Sequence, residues 1–123
     1  MATPILICDD SNFARKQMAR ALPKNWEVEI TFAENGELGL EAIRAGKGEV
    51  VFLDLTMPVL DGYGVLEAIK ANDLPAMVIV VSGDIQPEAQ ERVKKLGAMD
   101  FIKKPTDNEK ITQVLTQFGI LES

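Results

Sequence analysis

Asp9 and Asp10 follow the apolar run Pro4–Cys8, Asp54 follows Val50–Leu53, Ser82 follows Met77–Val81, and Lys104 stands two residues past Met99–Ile102. Carboxylates, a hydroxyl and an ammonium thus close stretches that read as buried strands. In open α/β sheets, ligands bind at the carboxyl edge of the strands. A lone carboxylate after an unbroken apolar run is costly to place there without a use, which makes Asp54 the candidate reactive group. If the runs lie parallel, three carboxylates meet at one edge, where they repel each other and lose hydration. A hard cation resolves that conflict. Mg²⁺ prefers oxygen ligands, retains several waters and takes one or two carboxylates. With Lys104 adding positive charge and Ser82 a hydroxyl donor, the group could accept a phosphoryl and form an aspartyl phosphate.

The elements that must position these residues follow from periodicity. Val50–Leu53 has no helical period and fits a strand buried on both faces, followed by the turn residues Pro58 and Asp61-Gly62. Ser11 is placed to cap a first helix, with Ala14, Met18, Ala21 and Leu22 on its apolar side and Arg15, Lys16 and Arg20 on the other. Val28, Ile30 and Phe32 alternate with Glu29 and Thr31, the pattern of a strand with one less buried face. Asn35-Gly36 opens a helix with the stripe Gly36, Gly39, Leu40 and Ile43, whose glycines allow close approach to a sheet. Gly62, Val65, Leu66 and Ile69 form the third stripe, and Ala89, Val93 and Leu96 a thin fourth after Pro87. Thr106-x-x-Glu109 reads as a capping box for a last helix carrying Ile111, Val114, Leu115 and Phe118. Strand and helix alternate five times, which predicts an α/β fold with a parallel sheet and helices on both faces.

Composition narrows the function. At 123 residues with 46% hydrophobic and 26% charged content, the chain has the size and balance of one globular domain. The absence of histidine removes His-based catalysis, His-rich metal sites and a phosphohistidine carried by this chain. The single cysteine, Cys8, cannot form an internal disulfide and reads as a small buried hydrophobe, which fits the cytoplasm. No apolar run approaches the roughly 18 residues of a membrane span. A net charge of −6 argues against general nucleic-acid binding. The charge is uneven: residues 1–91 hold 7 basic and 15 acidic side chains, whereas residues 92–123 hold 6 basic and 4 acidic.

Asp9-Asp10, Asp54 followed by M-P-x-x-D-G, Ser82-Gly83 and Lys104-Pro105, in that order and each closing a strand, resemble response-regulator receiver domains of the chemotaxis CheY type. The resemblance covers essentially the whole chain. It implies a flavodoxin-like (βα)5 fold with strand order 2-1-3-4-5. It also implies a single receiver domain over residues 1–123 without an output domain, monomeric and without direct DNA binding. Asp54 is then the phosphoacceptor. Asp10, Asp54 and the backbone carbonyl of Thr56 bind Mg²⁺ directly, and Asp9 binds it through water. Lys104 pairs with the phosphoryl oxygens, and the Lys104-Pro105 bond is cis. Ser82 and Phe101 form the switch, the first swinging toward the phosphoryl group and the second turning inward behind it. Thr56 and Asp84 occupy positions that tune phosphoryl lifetime. Family members often carry Thr where this chain has Ser82, and the chemotaxis type carries Tyr where it has Phe101; neither difference alters the chemistry.

The implied function is that of a phosphorylation switch rather than a turnover enzyme. Its donor would be a sensor histidine kinase or phosphotransfer protein, in a chemotaxis-like or phosphorelay pathway. Its target would be a protein bound on the face made by the fourth helix, fifth strand and fifth helix. Arg92, Lys94, Lys95, Lys103 and Lys110 crowd there, and Arg92, Lys95 and Lys103 are expected to meet an acidic partner surface. A haloacid dehalogenase-like hydrolase wants a second Asp one residue removed from an acidic nucleophile at the first strand, a spacing that Asp9-Asp10 lacks. A flavodoxin wants a Ser, Thr and Gly-rich phosphate loop where this chain has D-D-S-N. A degenerate receiver used only as a scaffold is the remaining alternative.

Overall fold

The structure is a computed structural model that describes residues 2–83 and 86–121. Strands and helices alternate as β1 (Thr3–Cys8), α1 (Asn12–Ala21), β2 (Val28–Ala33), α2 (Gly36–Arg44), β3 (Val50–Leu53), α3 (Gly62–Ala71), β4 (Met77–Ser82), α4 (Pro87–Lys95), β5 (Asp100–Lys103) and α5 (Asn108–Gln117). The strands form one sheet in the order β2-β1-β3-β4-β5, every neighbouring pair parallel. The expected strand order and alternation are therefore both present.

The unperiodic run Val50–Leu53 lies at the centre, all four side chains buried. Alternation along it feeds two cores. Val50 and Phe52 join Ile5, Ile7, Met18, Ile111 and Leu115 on the α1 and α5 side. Val51 and Leu53 join Leu6, Leu40, Ile43, Val65, Leu66 and Val93 on the α2, α3 and α4 side. Each such side chain contributes about 1.5–3 kcal/mol when fully buried, so β3 is anchored from both faces. Trp26 packs half-buried against the first of these cores, and Cys8 is buried in the second.

The glycines of α2 let it press on the sheet. A Cβ on Gly39 would stand 2.8 Å from Cys8 Sγ, and one on Gly36 would fall within van der Waals overlap of the Leu60 backbone carbonyl. Four helices start on side-chain caps: Ser11, Asn35, Asp61 and Asp107 accept from the backbone N–H of Ala14, Leu38, Gly64 and Lys110. Pro87 takes the first position of α4 as expected.

Three sequence expectations give way. The α5 cap is Asp107, not Thr106, so there is no capping box; an ionised carboxylate is the better acceptor at a helix N-terminus. Phe32 is 49% exposed because the α1-side core covers Val28 and Ile30 but not the carboxyl end of edge strand β2. Phe118, just past α5, is also exposed rather than part of its apolar stripe. Asp84 lies outside the described residues. Among the described residues no helix is long and apolar enough to cross a membrane.

Candidate functional site

Backbone hydrogen bonds extend the sheet ladder past the strand ends and thereby set the site. Cys8 pairs in register with Leu53, and the Asp54 N–H donates to the Cys8 carbonyl at 2.9 Å. The Asp9 N–H donates to the Ala33 carbonyl at 3.0 Å. Ser82 pairs with Lys103, and the Lys104 N–H donates to the Ser82 carbonyl at 2.9 Å. The Lys104-Pro105 bond is cis, as expected.

These constraints bring Asp9, Asp10, Asp54 and Lys104 together, while Ser82, Phe101 and Thr56 lie on neighbouring elements outside that charged cluster. One carboxylate oxygen each from Asp9, Asp10 and Asp54 falls within a 4.8 Å cluster, with Asp9 and Asp54 buried and Asp10 exposed. The Lys104 ammonium donates to Asp9 Oδ2 at 2.6 Å and lies 3.4 Å from Asp54 Oδ1. The other Asp9 oxygen, Oδ1, accepts from the Ser11 N–H at 2.9 Å. Both Asp9 oxygens are thus committed within the protein. Ser82 is buried at the end of β4. Phe101, in register with Val80, packs half-buried against the α2–α4 core. Thr56 is exposed on the β3–α3 loop, which a bond from the Gly62 N–H to the Leu55 carbonyl closes at 3.0 Å. Within that loop the Leu60 N–H reaches the Pro58 carbonyl at 2.7 Å around Val59, whose φ is +69°. That is a γ-turn with a β-branched residue in the left-handed region, a strained arrangement.

The electrostatics follow from crowding. Burial raises the Asp54 pKa above the usual carboxylate range and the Asp9 charge raises it further, against the pull of Lys104. Burial works against the Lys104 ammonium, but its hydrogen bond to Asp9 and the charges of Asp54 and Asp9 outweigh this and hold its pKa above the usual value. Burial, and then the neighbouring Asp9 and Asp54 charges, push the Cys8 thiol up to about 12.

One contributor leaves little trace in the sequence. Arg15 was expected on the solvent side of α1, yet its Nη1 donates to the Asp9 backbone carbonyl at 2.7 Å and pins the turn that carries the acidic pair. Its place one turn after the Ser11 cap is the only sequence trace of this role. Arg92 has partners of its own on α3. It stacks on the Tyr63 ring at 3.9 Å and lies 3.8 Å from Glu67, which draws it toward α3.

The donor set fits a hard divalent cation: three clustered carboxylates face one ammonium, so negative charge is in excess. With Asp9 occupied by Ser11 and Lys104, Asp10 and Asp54 are the carboxylates best placed to be direct ligands.

Comparison with known proteins gives the same site a family. Residues 5–116 match the family model described as response regulator receiver domain. The chain is 33% identical over 117 residues to the chemotaxis protein CheY of Bacillus subtilis, covering 95% of this chain and 98% of that protein. It is 37% identical over 105 residues to a protein-glutamate methylesterase/protein-glutamine glutaminase of Bacillus licheniformis, covering 83% of this chain but only 29% of that protein. Among solved structures it resembles a chain of the CheX–CheY–BeF3–Mg complex from Borrelia burgdorferi, with a TM-score of 0.84, 29% identity and coverage of 95% and 89%.

Proposed function

Because the chain belongs to the response-regulator receiver domain family, we propose that it is a phosphorylation switch in which Asp54 accepts a phosphoryl group from a phosphohistidine of a sensor kinase or phosphotransfer protein. The P–N bond of the donor breaks, an Asp54 Oδ–P bond forms, and the donor imidazole is left to take up a proton. The observation that carries the reading is the buried Asp54 carboxylate, held beside Asp9, Asp10 and the Lys104 ammonium at the carboxyl edge of the sheet. A divalent cation, Mg²⁺ by its chemistry, would be held by Asp10, Asp54 and the Thr56 carbonyl, with Asp9 reaching it through water. It would neutralise the charge of the incoming group.

Lys104 is 3.4 Å from Asp54 and needs little movement to meet a phosphoryl oxygen. Ser82, one strand over, is the hydroxyl that can follow the new charge, and Phe101 is the side chain that can fill the space behind it. Output through the α4–β5–α5 face is supported by the exposed Lys94, Lys95, Lys103 and Lys110 against an acidic remainder. Arg92, also exposed, is drawn toward α3 by its stacking on Tyr63 and its approach to Glu67. The chain covers 98% of the CheY relative but only 29% of the methylesterase relative, which carries such a region within a longer chain.

The test is mass spectrometry after incubation with acetyl phosphate and Mg²⁺. Phosphate should map to Asp54 only and require the cation, and Asp54→Asn should abolish it while the fold survives. Labelling that persists in that variant overturns the assignment.

A further inference from the structure

Beneath the acidic cluster, on the α1 and α5 side of the sheet, a narrow cleft opens between β1, α1 and the β5–α5 connection. Ile7, Met18, Phe52 and Val81 form its apolar walls, and Asp9, Asp54 and Lys104 lie along its rim. Thr106 also lines it. Since Asp107 caps α5, Thr106 is not used there. Its Oγ1 is buried and, among the described residues, the only buried side-chain nitrogen or oxygen without a hydrogen-bond partner. An unmatched buried hydroxyl costs free energy that a valine of the same shape would not. Such a group beside an open space points to an occupant.

The space identifies it. The cleft offers about 30 Å³, enough for one water but far below the roughly 150 Å³ of a cavity that takes a benzene-sized molecule. An anion would face Asp9 and Asp54, and a cation would face Lys104 and an apolar floor. A neutral molecule that both donates and accepts suits Thr106 on one side and the charged rim on the other. We infer that the cleft holds one ordered water bridging Thr106 Oγ1 to the rim of the acidic site, and that Thr106 is thereby a positioning residue for Lys104. The water ties the β5–α5 connection to the sheet edge just where the ammonium leaves the backbone. The positioning half of the inference rests on the phosphoacceptor reading of Asp54; the water half does not.

The experiment compares wild type with Thr106→Val, which keeps the shape and loses the hydroxyl, and Thr106→Ser, which keeps the hydroxyl. High-resolution crystal structures report the water directly. Stopped-flow phosphorylation by acetyl phosphate with saturating Mg²⁺ reports positioning. The water should be present in wild type and in Thr106→Ser and lost in Thr106→Val. Phosphorylation in Thr106→Val should slow by about tenfold, the scale of a lost supporting contact, and Thr106→Ser should restore it. A dry cleft in wild type overturns the site. Water loss with an unchanged phosphorylation rate overturns the positioning role. If wild type accepts no phosphoryl group at all, the phosphoacceptor reading and the positioning role fail together, while the crystal structures still decide the site.

Discussion

The Lys104 ammonium is nearer to Asp9 than to Asp54, 2.6 Å against 3.4 Å. Its tightest partner is therefore the carboxylate that also accepts from the Ser11 N–H, and its looser one is the candidate phosphoacceptor. Lys104 is held at the site without being spent on Asp54.

Removing that ammonium should expose the repulsion it offsets. Lys104→Met leaves Asp9 and Asp54 buried and facing each other, and breaking a buried pair costs about 3–5 kcal/mol. Lys104 is partly open to solvent, so the loss in urea denaturation should fall at the low end, about 3 kcal/mol. Mg²⁺ should then raise the melting temperature of Lys104→Met more than that of wild type. An equal or smaller rise would mean that the ammonium does not offset the acidic cluster.

The acidic pair should divide its labour. For wild type, Mg²⁺ at ten times its dissociation constant should add about 1.4 kcal/mol of stability. Asp10→Asn should lose most of that response, since Asp10 is exposed and Asp9 is already bonded on both oxygens. A full response in Asp10→Asn would place the cation elsewhere.

Asp54 should make stability depend on pH in a definite direction. Its folded pKa is raised by burial and by Asp9, above an unfolded value of about 3.9. Such a carboxyl favours folding while protonated, and that contribution is lost as pH rises through the raised value. Without divalent cation, Asp54→Asn should therefore be more stable than wild type near neutral pH. The gap should close as pH falls toward about 4. Urea midpoints across that range measure it; a gap that is absent near neutrality or widens in acid would contradict the strained carboxylate.

How much of the fold and site is legible in the sequence depends on which groups carry the information. Apolar runs with polar stops fix strand ends, so Asp9, Asp54, Ser82 and Lys104 could be placed on one edge from residue types alone. Arg15 could not, because its contact is to a backbone carbonyl and leaves no pattern in side-chain chemistry. The T-x-x-E pattern singles out Thr106, yet the next residue, Asp107, makes the cap, because a carboxylate one place along is at least as good an acceptor and lies outside that pattern. Phe32 followed the correct alternation but sits where an edge strand outruns its cover.

The close seat of α2 can be tested by adding single methyl groups. Gly39→Ala places a Cβ 2.8 Å from Cys8 Sγ, and overpacking of about 1–3 kcal/mol should outweigh the roughly 1 kcal/mol that alanine adds to helix propensity. Cys8→Ala should relieve Gly39→Ala in a double-mutant cycle. It should not relieve Gly36→Ala, which collides with the Leu60 backbone carbonyl. Equal rescue of both would mean that the helix shifts as a whole.

For the output face, Lys95→Glu with Lys103→Glu, still phosphorylated at Asp54, should slow association with an acidic partner by about tenfold at low salt and much less at high salt. Lys95 pairs with Glu91 across an exposed helix turn at 3.3 Å and is 76% exposed, so its charge remains available to a partner. Unchanged association rates at both salt concentrations would leave this face a solvated surface.

Cys8 makes the molecule its own clock. It is the only thiol in the chain, it ends β1 shut beneath Gly39 of α2, and its pKa of about 12 leaves almost no thiolate near neutrality. A thiol reagent can react only during excursions that part α2 from β1, so labelling accumulates with the time spent open. Since Asp9 is the next residue along, that native sulfur records how often the edge beside the acidic cluster breathes, with no foreign probe attached.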